Sequence, residues 1–125
     1  MLQQQRLLQK KIKNHNLIFH ILSQSDYDLA LARGFYRPES LEKEGFIHFS
    51  SEDQVEKTAK RFYLNQKNLL LLKVDPSQLK HKLIVEPADG DEFPHLYGDL
   101  NLDAITEVFT LNWDQDQLIR NNKSS

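Results

Sequence analysis

The sequence has no cysteine, and it is also poor in glycine and proline, with four of each among its 125 residues. Without cysteine the chain has no disulfide, no thiolate ligand for a metal and no cysteine nucleophile, which is compatible with a reducing cytoplasm. Any chemistry therefore depends on histidine, acidic, hydroxyl or arginine side chains.

Long apolar runs are also missing. No segment approaches the roughly 20 apolar residues of a membrane span, and the amino-terminal residues lack the apolar stretch and cleavage site of a secretory signal. We therefore expect a soluble, cytoplasmic protein with no membrane partner. The hydrophobic fraction of 39%, with 10% aromatic residues, is enough for one packed core. We expect a monomer or a weak dimer.

The net charge of −2 is unevenly distributed along the chain. Four of the 16 basic residues and none of the 18 acidic residues lie in the first 25 positions, which leaves 12 basic against 18 acidic residues, a net charge of −6, in the remainder. A domain with this charge is a poor general binder of polyanions. We therefore expect no nucleic-acid partner, apart from a weak contact through the basic amino-terminal arm.

The chain divides into three parts. Residues 1–15 are rich in glutamine and lysine and follow a helical period only loosely, so we predict a basic extension that is dispensable for the fold. Residues 16–120 are predicted to form a single α+β domain, and residues 121–125 a polar tail.

Apolar segments bounded by turn residues predict at least five strands, in NLIFHIL, FIHFS, NLLLLKVD, KLIVEP and AITEVFTL. The segment DYDLALARG predicts a helix that is capped by Ser25 and ends at Gly34. This helix should bury Tyr27, Ala30 and Leu31. A short helical turn is predicted before Gly45.

A further helix is predicted after FIHFS, because Ser51 and Gln54 have the spacing of a capping box. It should bury Phe62 and run to about Asn65. We predict a loop for ADGDEFPHLYGDL and a short amphipathic tail around Trp113 and Leu118. Five or more strands with two or three helices indicate an α+β fold.

Three histidines lie in apolar or aromatic segments, His20 in LIFHIL, His48 in FIHFS and His95 in FPHLYG. Strand alternation places Ser50 on the face of His48, and apolar neighbours favour neutral imidazoles. A loop stiffened by Pro94 would return His95 over the strand ends. We therefore predict that the three histidines converge with Glu86 on one partly open pocket, because clefts gather ionisable groups that cores avoid.

Each of these side chains also has a purely structural interpretation. A histidine in an apolar strand is commonly a hydrogen-bonded core residue, and Ser50, Glu86 and Tyr97 can serve as a helix cap, a strand-end charge and a core aromatic. The histidines and Glu86 offer donor types suited to zinc or iron, but no pair has the spacing of a metal motif, so we expect no metal. The glycines form no phosphate loop, and no serine lies in a nucleophile elbow.

The blocks SLEKEGFIHFS and FPHLYG, together with IFHIL, LLLLKVD and IVEP, resemble the family of small bacterial proteins called domain of unknown function 952. The resemblance extends over roughly residues 17–112. Members of that family resemble the ADP-ribosyltransferase fold, which implies a split, mixed or antiparallel sheet with a nucleotide cleft. The order of HIL, GFIHFS and LLLLKVD is also similar to the core of RNA 2′-phosphotransferases.

The resemblance implies a cleft that binds NAD or an ADP-ribosylated nucleotide, with NAD as a substrate. His20 matches the strand-borne histidine that contacts a ribose hydroxyl in the ADP-ribosyl enzymes. His48 and Ser50 stand where those enzymes have a tyrosine, and Glu86 comes earlier than their glutamate, for which Glu107 is an alternative. We predict Glu86 and His48 as catalytic residues of an ADP-ribosyl or related transfer. The predicted ligand-binding residues are His20, Ser50, His95 and Tyr97.

Three alternatives remain at this stage. The first is a non-catalytic module that binds a small ligand or a partner on the same fold. The second is an RNA 2′-phosphotransferase-like activity, which uses several arginines on the phosphate, whereas the predicted core has only Arg33, Arg37 and Arg61 before Arg120. The third is a metal site built from histidine and glutamate.

Overall fold

The apolar run NLLLLKV forms an inner strand of a four-stranded sheet in the computed structural model, which describes residues 17–123. The strands of the described chain are β1 Ile18–Ser23, β2 Phe35–Tyr36, β3 Ile47–His48, β4 Leu69–Val74, β5 Lys82–Ala88, β6 Asp91–Tyr97, β7 Leu100–Asn101, β8 Ile105–Asp114 and β9 Gln117–Asn122. The helices are α1 Gln24–Arg33, α2 Glu39–Glu44 and α3 Val55–Phe62, with short 3₁₀ turns at Glu52–Gln54, Pro76–Gln78 and Leu102–Ala104.

The strands form three sheets, and every pairing is antiparallel. The main sheet has the order β1-β4-β8-β9, a small sheet pairs β2 with β7, and a third has the order β3-β6-β5. Strands in several antiparallel sheets together with three helices make an α+β fold, as the sequence predicted. The described part of the chain includes no helix that combines the length and the apolarity needed to cross a membrane.

β4 is apolar on both faces because both faces of the main sheet are covered. Leu70 and Leu72 pack into one buried cluster with residues of α1, α2 and the two smaller sheets. Leu69 and Leu71 pack into a second cluster, which includes Val55 and other residues of α3 and β8. The sequence of an inner strand that is buried on both faces is a continuous apolar run rather than an alternation of apolar and polar residues.

α1 begins two residues earlier than the sequence predicted. The Ser23 hydroxyl accepts a hydrogen bond from the Asp26 backbone N–H at 3.1 Å, so Ser23 is the cap and Ser25 lies inside the helix. The helix ends at Gly34, whose φ of 89° lies in the left-handed region, as predicted. Ala30 is buried, but Leu31 is 54% exposed, so the prediction that Leu31 faces the core was wrong.

The predicted capped start belongs to the 3₁₀ turn Glu52–Gln54, which leads into α3, and α3 ends earlier than predicted. Ser51 and Gln54 form the capping box, which confirms that part of the prediction. The helix ends at Phe62, short of Asn65, and the Phe62 ring is 57% exposed, so its predicted burial was wrong. The helix packs through Val55 and Ala59 instead, because these positions share its inner stripe.

Two segments that were predicted as irregular are strands. FPHLY, residues 93–97, belongs to β6, the middle strand of the third sheet, and not to a loop. The predicted amphipathic tail forms the end of β8 and the strand β9. These strands make a hairpin in which Trp113 pairs with Leu118. β9 extends to Asn122, so regular structure continues past residue 120. The predicted amino-terminal extension lies outside the described residues.

The segment EGFIHFS joins two sheets, which is why it positions so many side chains. Only Ile47 and His48 pair with β6. The Phe49 N–H donates to the Pro94 carbonyl at 3.0 Å, and Ser50 then exchanges two backbone hydrogen bonds of 2.8 Å with Phe19 of β1. The segment therefore passes from the third sheet to the edge of the main sheet within four residues.

Candidate functional site

A cavity of about 860 Å³ lies along the edge strand β1. Its walls come from residues 19–23 of β1, the start of α2, the segment from 48 to 50, α3, the turn between β5 and β6, and β6. The polar groups among these residues include His20, Tyr36, His48, Ser50, His95, Lys57 and Arg61. The structure thus brings the three histidines that the sequence singled out to one cavity, although they are far apart along the chain.

His20 lies at the cavity wall, where its ring makes two hydrogen bonds. Its Nδ1 lies 2.6 Å from the carbonyl oxygen of His48, which can only accept, so Nδ1 carries the ring proton. Its Nε2 lies 2.7 Å from the Tyr36 hydroxyl, which therefore donates to it. Burial lowers the pKa of His20 to about 4, so the imidazole is uncharged at neutral pH.

Tyr36 is a member of the site that the sequence analysis missed. It is 5% exposed, lies on the short strand β2 and places its ring 5.1 Å from that of His20. Burial raises the pKa of its hydroxyl, which keeps the proton on the oxygen. Its signal in the sequence is an aromatic residue two positions after a helix-ending glycine, a pattern that is common in cores.

His48 lies at the open side of the cavity. Its side chain is 52% exposed, and its Nε2 is 2.7 Å from a carboxylate oxygen of Glu44, one helical turn earlier at the end of α2. Its ring lies 5.3 Å from that of His95, the residue opposite it on β6. Glu44 was not among the predicted site residues.

His95 is buried, with 4% of its surface exposed, and Phe46 stacks on its ring at 4.0 Å. Its Nδ1 is 2.8 Å from Oε1 of Glu86. An ionised carboxylate only accepts hydrogen bonds, so Nδ1 carries a proton, and Nε2 of the neutral form of the ring is an acceptor. This Nε2 is buried and has no hydrogen-bond partner among the described residues.

Glu86 and Tyr97 support His95 from the same face of the third sheet. Tyr97 donates its hydroxyl hydrogen to the Glu86 oxygen that His95 also contacts. These two hydrogen bonds lower the pKa of Glu86, and the contact with Glu86 raises the pKa of Tyr97. Neither side chain lies on the cavity wall. Glu86 therefore contacts His95 and is not itself a residue of the cavity wall.

Ser50 is buried, and its backbone pairs with Phe19 at the edge of the main sheet. Its hydroxyl lies 3.2 Å from that of Thr58 on α3. It lines the cavity, but it caps no helix, since Ser51 has that role.

Charged groups surround the cavity on the α3 side. Lys57 and Arg61 project from α3, and Arg61 forms an ion pair with Asp89 at 3.2 Å. The alternative catalytic carboxylate, Glu107, lies elsewhere. It pairs with Lys73 on the main sheet and is not part of the cavity wall. Among residues 17–123, no group of three histidine or acidic side chains is arranged to hold a metal ion.

A family model described as protein of unknown function (DUF952) matches residues 21–108, a segment that contains His48, Glu86 and His95. The chain belongs to the DUF952 family. This confirms the family that the blocks SLEKEGFIHFS and FPHLYG indicated. A comparison with functionally curated proteins found no match.

Solved structures of one bacterial protein are similar to this DUF952 member. The crystal structure of CC0527 from Caulobacter crescentus is 36% identical, has a TM-score of 0.74, and the match covers 80% of this chain and 90% of that one. The solution NMR structure of the same protein is also 36% identical, with a TM-score of 0.71 and coverage of 82% and 90%. This Caulobacter crescentus protein thus has a fold similar to the one described above.

Proposed function

We propose that this DUF952 protein binds an NAD-type or ADP-ribosylated nucleotide in the cavity along β1. The observation that carries the proposal is the buried Nε2 of His95, which lies on a residue of the cavity wall and has no partner among the described residues. A buried polar atom without a hydrogen bond costs about 1–3 kcal/mol. A ligand that donates a hydrogen bond to this atom recovers that free energy on binding.

The size and chemistry of the cavity fit a nucleotide. A volume of about 860 Å³ lies within the roughly 300–1,000 Å³ of small-molecule pockets. Ribose hydroxyls can donate to His95, aromatic rings such as Phe93 and Tyr63 offer surfaces for a base, and Lys57 offers a cation for phosphates, whereas Arg61 is paired with Asp89. The resemblance of the family to the ADP-ribosyltransferase fold supports the same ligand class.

The finer proposal is that the bound nucleotide undergoes ADP-ribosyl transfer, in which nicotinamide leaves with the bonding electron pair and a nucleophile of an acceptor molecule forms the new bond to the same ribose carbon. Cleavage of the glycosidic bond to nicotinamide develops positive charge on the ribose, which a carboxylate stabilises. Glu86 is the proposed carboxylate, and the ligand must then extend past His95 to reach it. The hydrogen bonds from His95 and Tyr97 instead favour Glu86 as a positioning residue, so binding without turnover is the second candidate.

The binding proposal is tested by titrating the protein with NAD and with ADP-ribose, followed by amide chemical shifts and by thermal unfolding. The informative variant is His95→Asn, because its amide nitrogen replaces Nδ1 and keeps the bond to Glu86 while Nε2 is lost. We expect this variant to bind at least tenfold more weakly. His81→Asn is the matched control, since His81 is exposed and lies outside the cavity wall.

Absence of any shift with both nucleotides, or unchanged binding by His95→Asn, would contradict the proposal. Measuring the release of nicotinamide from NAD then distinguishes ADP-ribosyl transfer from binding without turnover. Turnover that is lost in Glu86→Gln supports transfer, whereas binding without release of nicotinamide supports the non-catalytic module.

A further inference from the structure

The proton positions around His20 are fixed by the groups that contact it. The His48 carbonyl accepts from Nδ1 at 2.6 Å, which leaves Nε2 of the neutral ring as an acceptor. The Tyr36 hydroxyl, 2.7 Å from Nε2, must then donate its hydrogen to the ring. A backbone carbonyl on one side of the imidazole thus determines the direction of the hydrogen bond on the other side.

The Tyr36 oxygen consequently has no hydrogen left for a ligand. Tyr36 lines the cavity, so the group that its hydroxyl offers there is a lone pair. Burial raises the pKa of Tyr36 and lowers that of His20, and both shifts preserve this arrangement at neutral pH. A ligand that reaches this oxygen must bring an O–H or N–H donor.

His95 has the same polarity for a different reason. Its Nδ1 proton is donated to Glu86, so in the neutral form of the ring Nε2 also offers only a lone pair. The cavity wall therefore carries two hydrogen-bond acceptors, the Tyr36 oxygen and Nε2 of His95. The first is fixed as an acceptor by the His48 carbonyl, which acts through His20, and the second by the Glu86 carboxylate.

We propose that Tyr36 is a specificity-determining residue, whose hydroxyl oxygen acts together with Nε2 of His95 to accept hydrogen bonds from two ligand hydroxyls, so that the site selects a free vicinal diol such as an unmodified ribose. This inference rests on the proposed nucleotide site and narrows its substrate class. A site built to accept from a hydroxyl rejects an analogue that lacks it, because the buried acceptor is left unpaired.

The proton positions are tested first, without any ligand, from the nitrogen chemical shifts of the imidazole rings. We expect both His20 and His95 to be protonated at Nδ1 and unprotonated at Nε2 at pH 7. A proton on Nε2 of His20 would overturn the inference, because the Tyr36 hydroxyl would then accept from the ring and donate into the cavity.

Ligand selection is tested with NAD and with analogues that lack one ribose hydroxyl at a time. We expect the two analogues that each lack one hydroxyl of the selected ribose to bind the wild-type protein tenfold or more weakly than NAD does. In Tyr36→Phe the ring remains but the acceptor is lost, so the preference for one of these two hydroxyls should fall below threefold. Tyr27→Phe is the matched control, since Tyr27 packs against the core but lies outside the cavity wall, and it should keep the full preference.

Methyl ribofuranoside and its 2-deoxy form separate the two proposals. If neither NAD nor ADP-ribose binds but the ribofuranoside shifts the His95 resonances more strongly than its deoxy form, the nucleotide proposal fails and diol selection stands. If NAD binds and its deoxy analogues bind within threefold of it, nucleotide binding stands and diol selection is overturned. If no nucleotide or sugar binds, both are overturned.

Discussion

At the scale of single residues, His20 links the fold of the protein to pH. Its pKa is about 4 in the folded state because of burial, against 6.5 for an ordinary histidine. The unfolded chain therefore binds the proton more readily than the folded protein, and protonation favours unfolding. The stabilisation is fully present above pH 6.5 and is lost progressively as the pH falls from 6.5 towards 4.

The predicted loss of unfolding free energy from this one group is about 3 kcal/mol between pH 7 and pH 4. Urea unfolding of the wild type and of His20→Gln at a series of pH values checks it, because the variant lacks the titrating group. The gap between the two proteins should narrow as the pH falls through this window. A gap that stays constant would show that His20 does not titrate as described, and His81→Gln, which changes an exposed histidine, should follow the wild type throughout.

The apolar neighbours of His20 were enough to predict a neutral imidazole from the sequence, because burial alone disfavours the charged form. The partners of the ring could not be predicted. Tyr36 reaches it from a two-residue strand, and the His48 carbonyl reaches it from a chain segment 28 positions away. Contacts of this kind depend on how the sheets pack, and local spacing does not encode them.

At the scale of elements, the start of α1 depends on one hydroxyl. The Ser23 side chain accepts from the Asp26 N–H, and loss of such a cap typically costs about 1 kcal/mol. We predict that Ser23→Ala lowers the unfolding free energy by about this amount, measured by chemical denaturation. Ser25→Ala removes a hydroxyl inside the same helix and should cost clearly less, and the reverse order would assign the cap to Ser25.

The exposed end of α3 gives a second prediction, by comparison with a buried phenylalanine outside the helix. Phe62 is 57% exposed, whereas Phe49, next to the β3 segment, is 2% exposed. Replacing a buried phenylalanine by alanine costs about 3–5 kcal/mol, and exposed positions change stability by about 0.5 kcal/mol or less. We therefore expect Phe49→Ala to be strongly destabilising and Phe62→Ala to be nearly neutral in thermal and chemical unfolding. Equal losses would show that Phe62 packs in the core.

Elements that depend on local sequence signals are the ones that the sequence could predict. Capping residues and continuous apolar runs located α3 at its start and β4 along its length, since both signals are local. FPHLYG was predicted as a loop because proline and glycine flank its aromatic residues, yet it pairs on both sides as the centre of the third sheet. The helical period also misplaced Phe62, because α3 ends at that residue and no partner covers it.

At the scale of the whole molecule, the candidate site depends on the joining of separate sheets. β1 contributes His20, β2 contributes Tyr36, and the third sheet contributes His48 and His95. EGFIHFS connects these parts by pairing first with β6 and then with β1. Sequence patterns predicted an α+β chain with histidines gathered in one region, but the division into three sheets and the cavity between them arise only from tertiary packing.

Arg120 lies on β9, the edge strand of the main sheet that is opposite to β1. It connects this strand to the turn before α3. Its guanidinium makes two hydrogen bonds, of 3.0 and 2.9 Å, to the carboxylate of Glu52, and it lies 5.4 Å from the Phe19 ring and 5.0 Å from the Phe109 ring. The planar fork of arginine can make both carboxylate bonds while it stacks on the rings, whereas lysine keeps the charge but not this geometry.

We therefore predict that Arg120→Lys lowers the unfolding free energy by about 1 kcal/mol although the net charge is unchanged. Arg33→Lys is the matched control, because Arg33 is exposed in the last turn of α1, and it should have no measurable effect. Both variants are compared with the wild type by urea denaturation at pH 7. The pKa of Glu52 is lowered by Arg120, so the ion pair stabilises the fold above the ordinary carboxylate pKa and this contribution is lost as the pH falls below it. The difference between Arg120→Lys and the wild type should accordingly shrink in acid, and an unfolding free energy equal to that of Arg33→Lys at pH 7 would show that β9 is not held through this contact.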